Sequence, residues 1–149
     1  MSELRSIVLA ARALRRQGEP LALATLVHVR GSSYRAPGAR MLMTRDRWVA
    51  GCVSGGCLEG DVVRKAWWRT ASGEPALVTY DSSSDDDVGW GFGLGCNGVA
   101  TILIERVTDA HDPLAFVEGW VDGVGSETRG ALVTVFRSAL EGVPAGSRL

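Results

Sequence analysis

Apolar residues recur along the start of the chain at the spacing of one helical face. Leu4, Ile7, Val8, Ala11 and Leu14 follow the i, i+3, i+4, i+7 rule, with arginines on the opposite face. Ser2 is placed to cap this helix, and Gly18 with Pro20 ends it. Residues 21–29 (LALATLVHV) then run almost unbroken in apolar side chains, as expected of a central strand covered on both faces. Two shorter runs, 40–44 and 48–53, flank Arg45-Asp46-Arg47 and read as a tight hairpin. A second helical period opens with Leu58, Val62, Val63 and Ala66 and ends near Thr70, ahead of Gly73 and Pro75. Trp67 and Trp68 read as packing residues of that helix. Residues 76–80 and 99–105 read as strands, 112–121 as a short helix with Pro113 in its first turn, and 131–136 as a last strand. Residues 138–149 have no apolar period and read as a flexible, frayed tail. The fold class this predicts is α/β, a mixed β-sheet flanked by helices, in a single domain over residues 1–137.

Composition narrows the function classes. A chain of 149 residues with 46% hydrophobic and 22% charged side chains suits one globular domain. Sixteen basic and seventeen acidic residues leave a net charge of -1, which offers no general attraction for nucleic acid or an anionic membrane. No apolar run approaches the roughly 20 residues of a membrane span. The first 17 residues are amphipathic and arginine-rich rather than a continuous apolar signal, so the cytoplasm is the default location. Three cysteines, an odd count, read as free thiols. The nineteen glycines concentrate at 51–60 and 89–98, each cluster abutting a strand pattern.

Those clusters hold the candidate chemistry. In Gly51-Cys52-Val53-Ser54-Gly55-Gly56-Cys57-Leu58-Glu59-Gly60, a strand meets a glycine turn and a helix start. Ser54 is placed to cap the helix, and the free N–H groups of its first turn favour an anion and a cysteine thiolate. Gly55 and Gly56 add main chain without bulk. A buried structural cysteine beside an ordinary turn reads equally well here. Glu59 shares a face with Val62, Val63 and Ala66, so it is expected to be buried and to need a partner, for which the arginines of the preceding loop are candidates. That loop, residues 30–40, carries Arg30, Arg35 and Arg40 with Ser32 and Ser33, a set suited to phosphate or carboxylate. In the second cluster, Gly93, Gly95 and Gly98 satisfy GxGxxG formally, but a strand follows where the dinucleotide fingerprint opens a helix. Alternate glycines instead let a flat ligand or a neighbouring strand approach, with Cys96 at the lip. The acidic run 81–87 fails the calcium-loop pattern at Asp86 and Phe92 and reads as a solvated loop. His28 and His111 stand beside no thiol, so a Cys–His nucleophile is disfavoured. Zinc on Cys52, Cys57 and Cys96 lacks a CxxC knuckle.

The motifs Gly31-Ser-Ser-Tyr-Arg-Ala-Pro-Gly-Ala-Arg-Met, Val53-Ser-Gly-Gly-Cys-Leu-Glu and Gly93-Leu-Gly-Cys-Asn-Gly, in that order, resemble the amino-terminal domain of the XdhC/CoxI family. Ala36 and Asn97 depart from the family's usual residues. The resemblance implies an accessory factor for xanthine dehydrogenase and related molybdenum hydroxylases. On it, the chain binds molybdenum cofactor (molybdopterin) as cargo and delivers it to the apo-enzyme, with a sulfurtransferase as a further partner and a homo-oligomer left open. Cys57 and Cys96 become the cofactor-contacting candidates, supported by Glu59, Arg35, Ser32, Ser33, Gly55, Gly56 and Gly95. The Rossmann-type domain that typical members carry is expected to be absent. Two competing readings are a thiol-based metal-binding or redox-responsive domain, and an interaction module for a separate Rossmann-domain partner.

Overall fold

The computed structural model describes residues 2–82, 98–123 and 131–149. Helix α1 (Glu3–Arg16) starts where expected, with Ser2 Oγ accepting from the Arg5 N–H at 3.4 Å. Glu3 in its first turn and Arg15 and Arg16 in its last suit the helix dipole. Five strands follow: β1 (Ala22–Gly31), β2 (Arg40–Met43), β3 (Trp48–Gly51), β4 (Ala76–Asp81) and β5 (Gly98–Arg106). Helix α2 (Glu59–Arg69) lies between β3 and β4 in the chain, and α3 (Pro113–Gly123) follows β5.

The strands form one sheet in the order β3-β2-β1-β5-β4, which puts β1 at its centre. The α/β class and single domain stand, but every described pairing is antiparallel, not mixed. Sequence neighbours β1/β2 and β2/β3 pair directly through short links that return the chain antiparallel, and β4 pairs with β5 antiparallel as well. The connection containing α2 carries the chain from the β3 edge to the β4 edge.

Alternation along β1 explains its unbroken apolar run. Ala22, Ala24 and Leu26 face α2, where they pack with Met41, Val62, Ala66 and Ile102. Leu21 and Leu23 belong to the opposite core, with Ile7, Ala11, Leu42 and Leu114. Both faces are thus covered, α2 on one side and α1 with α3 on the other. Trp67 packs against the first core as expected, whereas Trp68 is exposed.

The predicted last strand is corrected. Residues 131–136 do not extend the sheet; they make an isolated antiparallel bridge, Thr134 with Arg148. The Val133 N–H donates to the Leu149 carbonyl at 2.9 Å, and that of Val135 to the Ser147 carbonyl at 2.8 Å. The segment 138–149, expected to fray, therefore folds back. Its anchor is electrostatic: Arg148 donates to both oxygens of the fully buried Glu105. An apolar period carries no sign of such an anchor.

Candidate functional site

After β3 the chain turns sharply into α2, and Gly55 and Gly56 make that turn at φ +112° and +117°. A side chain is strained in this region, and the conformation brings successive N–H groups to one side. Glu59 occupies the concavity. Its Oε1 accepts from the N–H groups of Val53 and Ser54, both at 2.9 Å, and its Oε2 from the Gly56 N–H at 2.9 Å and the Ser54 hydroxyl at 2.6 Å. Ser54 Oγ in turn accepts from the Leu58 N–H at 3.0 Å. Burial pushes the Glu59 carboxyl up, but the hydrogen bonds from Ser54 and Val53 outweigh it and hold the pKa below the ordinary value.

Two expectations change here. Glu59 is buried as its helical spacing implies, but its partners are the main chain of its own turn, not the loop arginines. The turn's N–H groups are accordingly taken by an internal carboxylate rather than left for an outside anion. Nor is Ser54 the N-cap; Leu58 holds that position without a side-chain bond, and Ser54 reaches its amide from four residues upstream.

The loop arginines diverge. Arg35 Nη2 donates to both carboxylate oxygens of Glu3, at 2.5 and 2.6 Å, tying the loop to the start of α1. Arg40 turns inward as the first residue of β2 and is buried, while Arg30 is exposed at the end of β1. Ser32 and Ser33 line a narrow cleft with Tyr34, Cys57, Tyr80 and Gly98. The space within it is about 20 Å³, room for one water molecule. Cys57 is exposed and Cys52 partly buried. Burial pushes the Cys52 thiol pKa up, with Arg35 pulling the other way. Gly55 lies against the Tyr34 ring: a Cβ there would come within 3.5 Å of the tyrosine side chain.

Cys96, Gly93 and Gly95 lie outside the described residues, as does the acidic run beyond Ser82, so the expected meeting of Cys57 with Cys96 lies there too. At Gly98 the neighbouring strand is what approaches. A Cβ would stand 2.3 Å from the Ser32 carbonyl oxygen. His28 is exposed, and His111 is hydrogen-bonded to Glu105 at 2.9 Å. Among the described residues, no three His, Cys, Asp or Glu side chains gather as a metal site.

One polar cluster was missed. Asp61, in the first turn of α2, accepts from the Tyr80 hydroxyl at 2.7 Å and pairs with Lys65 at 2.6 Å and Arg64 at 3.0 Å. Burial raises its pKa, but these partners win and lower it. Burial and Asp61 together push the Tyr80 phenol well above its usual range. Its signal is slight: an acid in a helix start usually only complements the dipole.

The XdhC and CoxI family profile matches residues 14–81, which carry the first strand, the arginine loop and the Glu59 turn. Over those residues the chain is similar to the XdhC and CoxI family. Over 96 residues it is 42% identical to a probable xanthine dehydrogenase subunit of Bacillus subtilis (strain 168), covering 64% of this chain and 29% of that protein. Over 100 residues it is 33% identical to the molybdenum cofactor insertion chaperone PaoD of Escherichia coli (strain K12), covering 66% of this chain and 30% of the relative. A crystal structure described as a xanthine dehydrogenase from Bacillus halodurans superposes with a TM-score of 0.63 at 39% identity, over 83% of this chain and 35% of that one. The chain thus spans about a third of the length of each of these proteins. Among the described residues no helix is long and apolar enough to cross a membrane.

Proposed function

We propose that this chain binds molybdenum cofactor as cargo at the Cys57 turn and hands it, in the cytoplasm, to a molybdenum hydroxylase apo-enzyme such as xanthine dehydrogenase. The observation that carries the reading is an exposed thiol on a glycine turn held by a buried carboxylate, beside two serines. A thiol is a ligand for a soft metal, and the hydroxyls of Ser32 and Ser33 are donors for a phosphate. The cleft is too small to enclose a pterin, so the cargo lies across its mouth, against the exposed Tyr34 ring. Glu59 acts through the turn: it holds Gly55 and Gly56 in place and does not itself face the cargo. Arg35 reaches a phosphate only by leaving Glu3. Cys96, two positions before Gly98 in the sequence, is the second thiol of the proposal, with Gly95 beside it. A sulfurtransferase would meet the cargo on this same open side.

The test compares wild type, Cys57→Ser and Cys96→Ser isolated from cells that make the cofactor. Wild type is expected to carry molybdenum and oxidisable pterin and to restore activity to an apo-hydroxylase; each variant loses at least about fivefold of both. Stoichiometric zinc without pterin fluorescence in wild type would favour the thiol-based metal domain instead.

A further inference from the structure

Arg40 is a buried cation with no carboxylate hydrogen-bonded to it among the described residues. It is 6% exposed, and its hydrogen bond there runs from Nη1 to the Gly38 carbonyl at 2.8 Å. Its Nε has no partner among those residues although it is shielded from solvent. The two acids whose charge reaches it are already held by other groups, Glu105 by Arg148 and His111 and Glu3 by Arg35. Burial, then the charge of Arg148, lower the Arg40 pKa, as expected of a cation lacking a counter-ion. Buried charges are ordinarily paired, and an exception calls for a cause.

Two further orphan groups stand on the same cavity. Thr25, 2% exposed and opposite Arg40 in the β1–β2 register, has an unpartnered Oγ1; so has Thr134, on the segment that folds over the sheet. Arg40, Thr25 and Thr134 all line a half-open cavity of about 220 Å³, whose apolar wall includes Val27, Leu132 and Phe136. That volume is below the range for drug-sized ligands. Thr25 alternates with Ala24 and Leu26, so this cavity lies on the other side of the sheet from the Cys57 cleft.

We infer that this cavity is a binding site for a phosphate-class oxyanion, the free ion or the phosphate of a small ester. The free edge of a guanidinium takes two oxygens of such a group. Donors from three separate segments, β1, β2 and the C-terminal bridge, suit a tetrahedral anion better than a planar carboxylate. An ester's carbon portion would rest on Phe136 and Leu132. Because Thr134 belongs to the folded-back segment, the anion also fastens that segment to the sheet. The site is separate from the cargo site, so either proposal can fail without the other.

The experiment titrates the full 149-residue chain with inorganic phosphate and with phenyl phosphate at fixed ionic strength, following heat and the thermal midpoint. Saturable binding of either ligand with a raised midpoint is expected; tighter phenyl phosphate identifies an ester, and equal affinities the free ion. Arg40→Gln should weaken binding about tenfold. Thr25→Val and Thr134→Val keep the side-chain shape and should each weaken it about three- to fivefold, which decides the matter should Arg40→Gln fold poorly. Absence of saturable binding for both ligands, or wild-type affinity in both threonine variants, would overturn the site.

Discussion

Glu59 shows how one residue sets the geometry of the turn. Its carboxylate replaces solvent for at least three main-chain N–H groups, so removing its charge reverses several bonds at once. Glu59→Gln keeps the volume but points an amide at a ring of donors; it should lower unfolding free energy by about 3 kcal/mol, read by urea titration. The pH dependence has a fixed sign. The folded pKa lies below the unfolded one, so the contribution is whole at neutral pH and shrinks as pH falls below about 4.3 toward the folded value. Asp61 acts in the same direction. The Gln variant should show a shallower acid slope than wild type. At this scale, burial of Glu59 was legible because helical spacing set it beside Val62 and Ala66. Its partners were not, since the basic loop next to it in sequence offered the obvious cations while the turn's inward N–H groups exist only once Gly55 and Gly56 adopt positive φ. Asp61 escaped for a related reason: Tyr80 lies on β4, a separate element.

Among the elements, the strands and helices of the core were legible and the closing segment was not. The run in β1 announced a strand buried on both faces, and the structure sets it between β2 and β5. The apolar residues of 131–136 suggested another strand of the sheet, but they lie across one face of it with the tail as partner. What fixes them is the ion pair of Arg148 with Glu105, residues 43 apart in sequence. Arg148→Met leaves a fully buried carboxylate with His111 alone and should cost about 3–5 kcal/mol; adding Glu105→Gln should recover part of that loss. The β1–β5 end is tight as well. Gly98→Ala would drive a Cβ into the Ser32 carbonyl, so a loss of about 2 kcal/mol is expected, with faster amide exchange at 29–31 and 98–100 than elsewhere in the sheet.

For the whole molecule, the two sides of the sheet divide the work. The α2 side supports the glycine turn and presents Cys57 beside Ser32 and Ser33; the other side buries the Glu105–Arg148 anchor and Arg40, which has no carboxylate partner among the described residues. The family resemblance was legible because two of its motifs, at 31–41 and 53–59, sit in a strand-to-loop and a strand-to-helix junction. The antiparallel course of the sheet was not, because periodicity reports which faces are covered and not which way a neighbour runs. The quantity that bears most directly on cofactor handling is the pterin bound per chain, by fluorescence after oxidation, in wild type and Cys57→Ser prepared side by side with equal folding. A near-stoichiometric signal is expected in wild type and a loss of at least about fivefold in the variant. Equal pterin in the two proteins would contradict it.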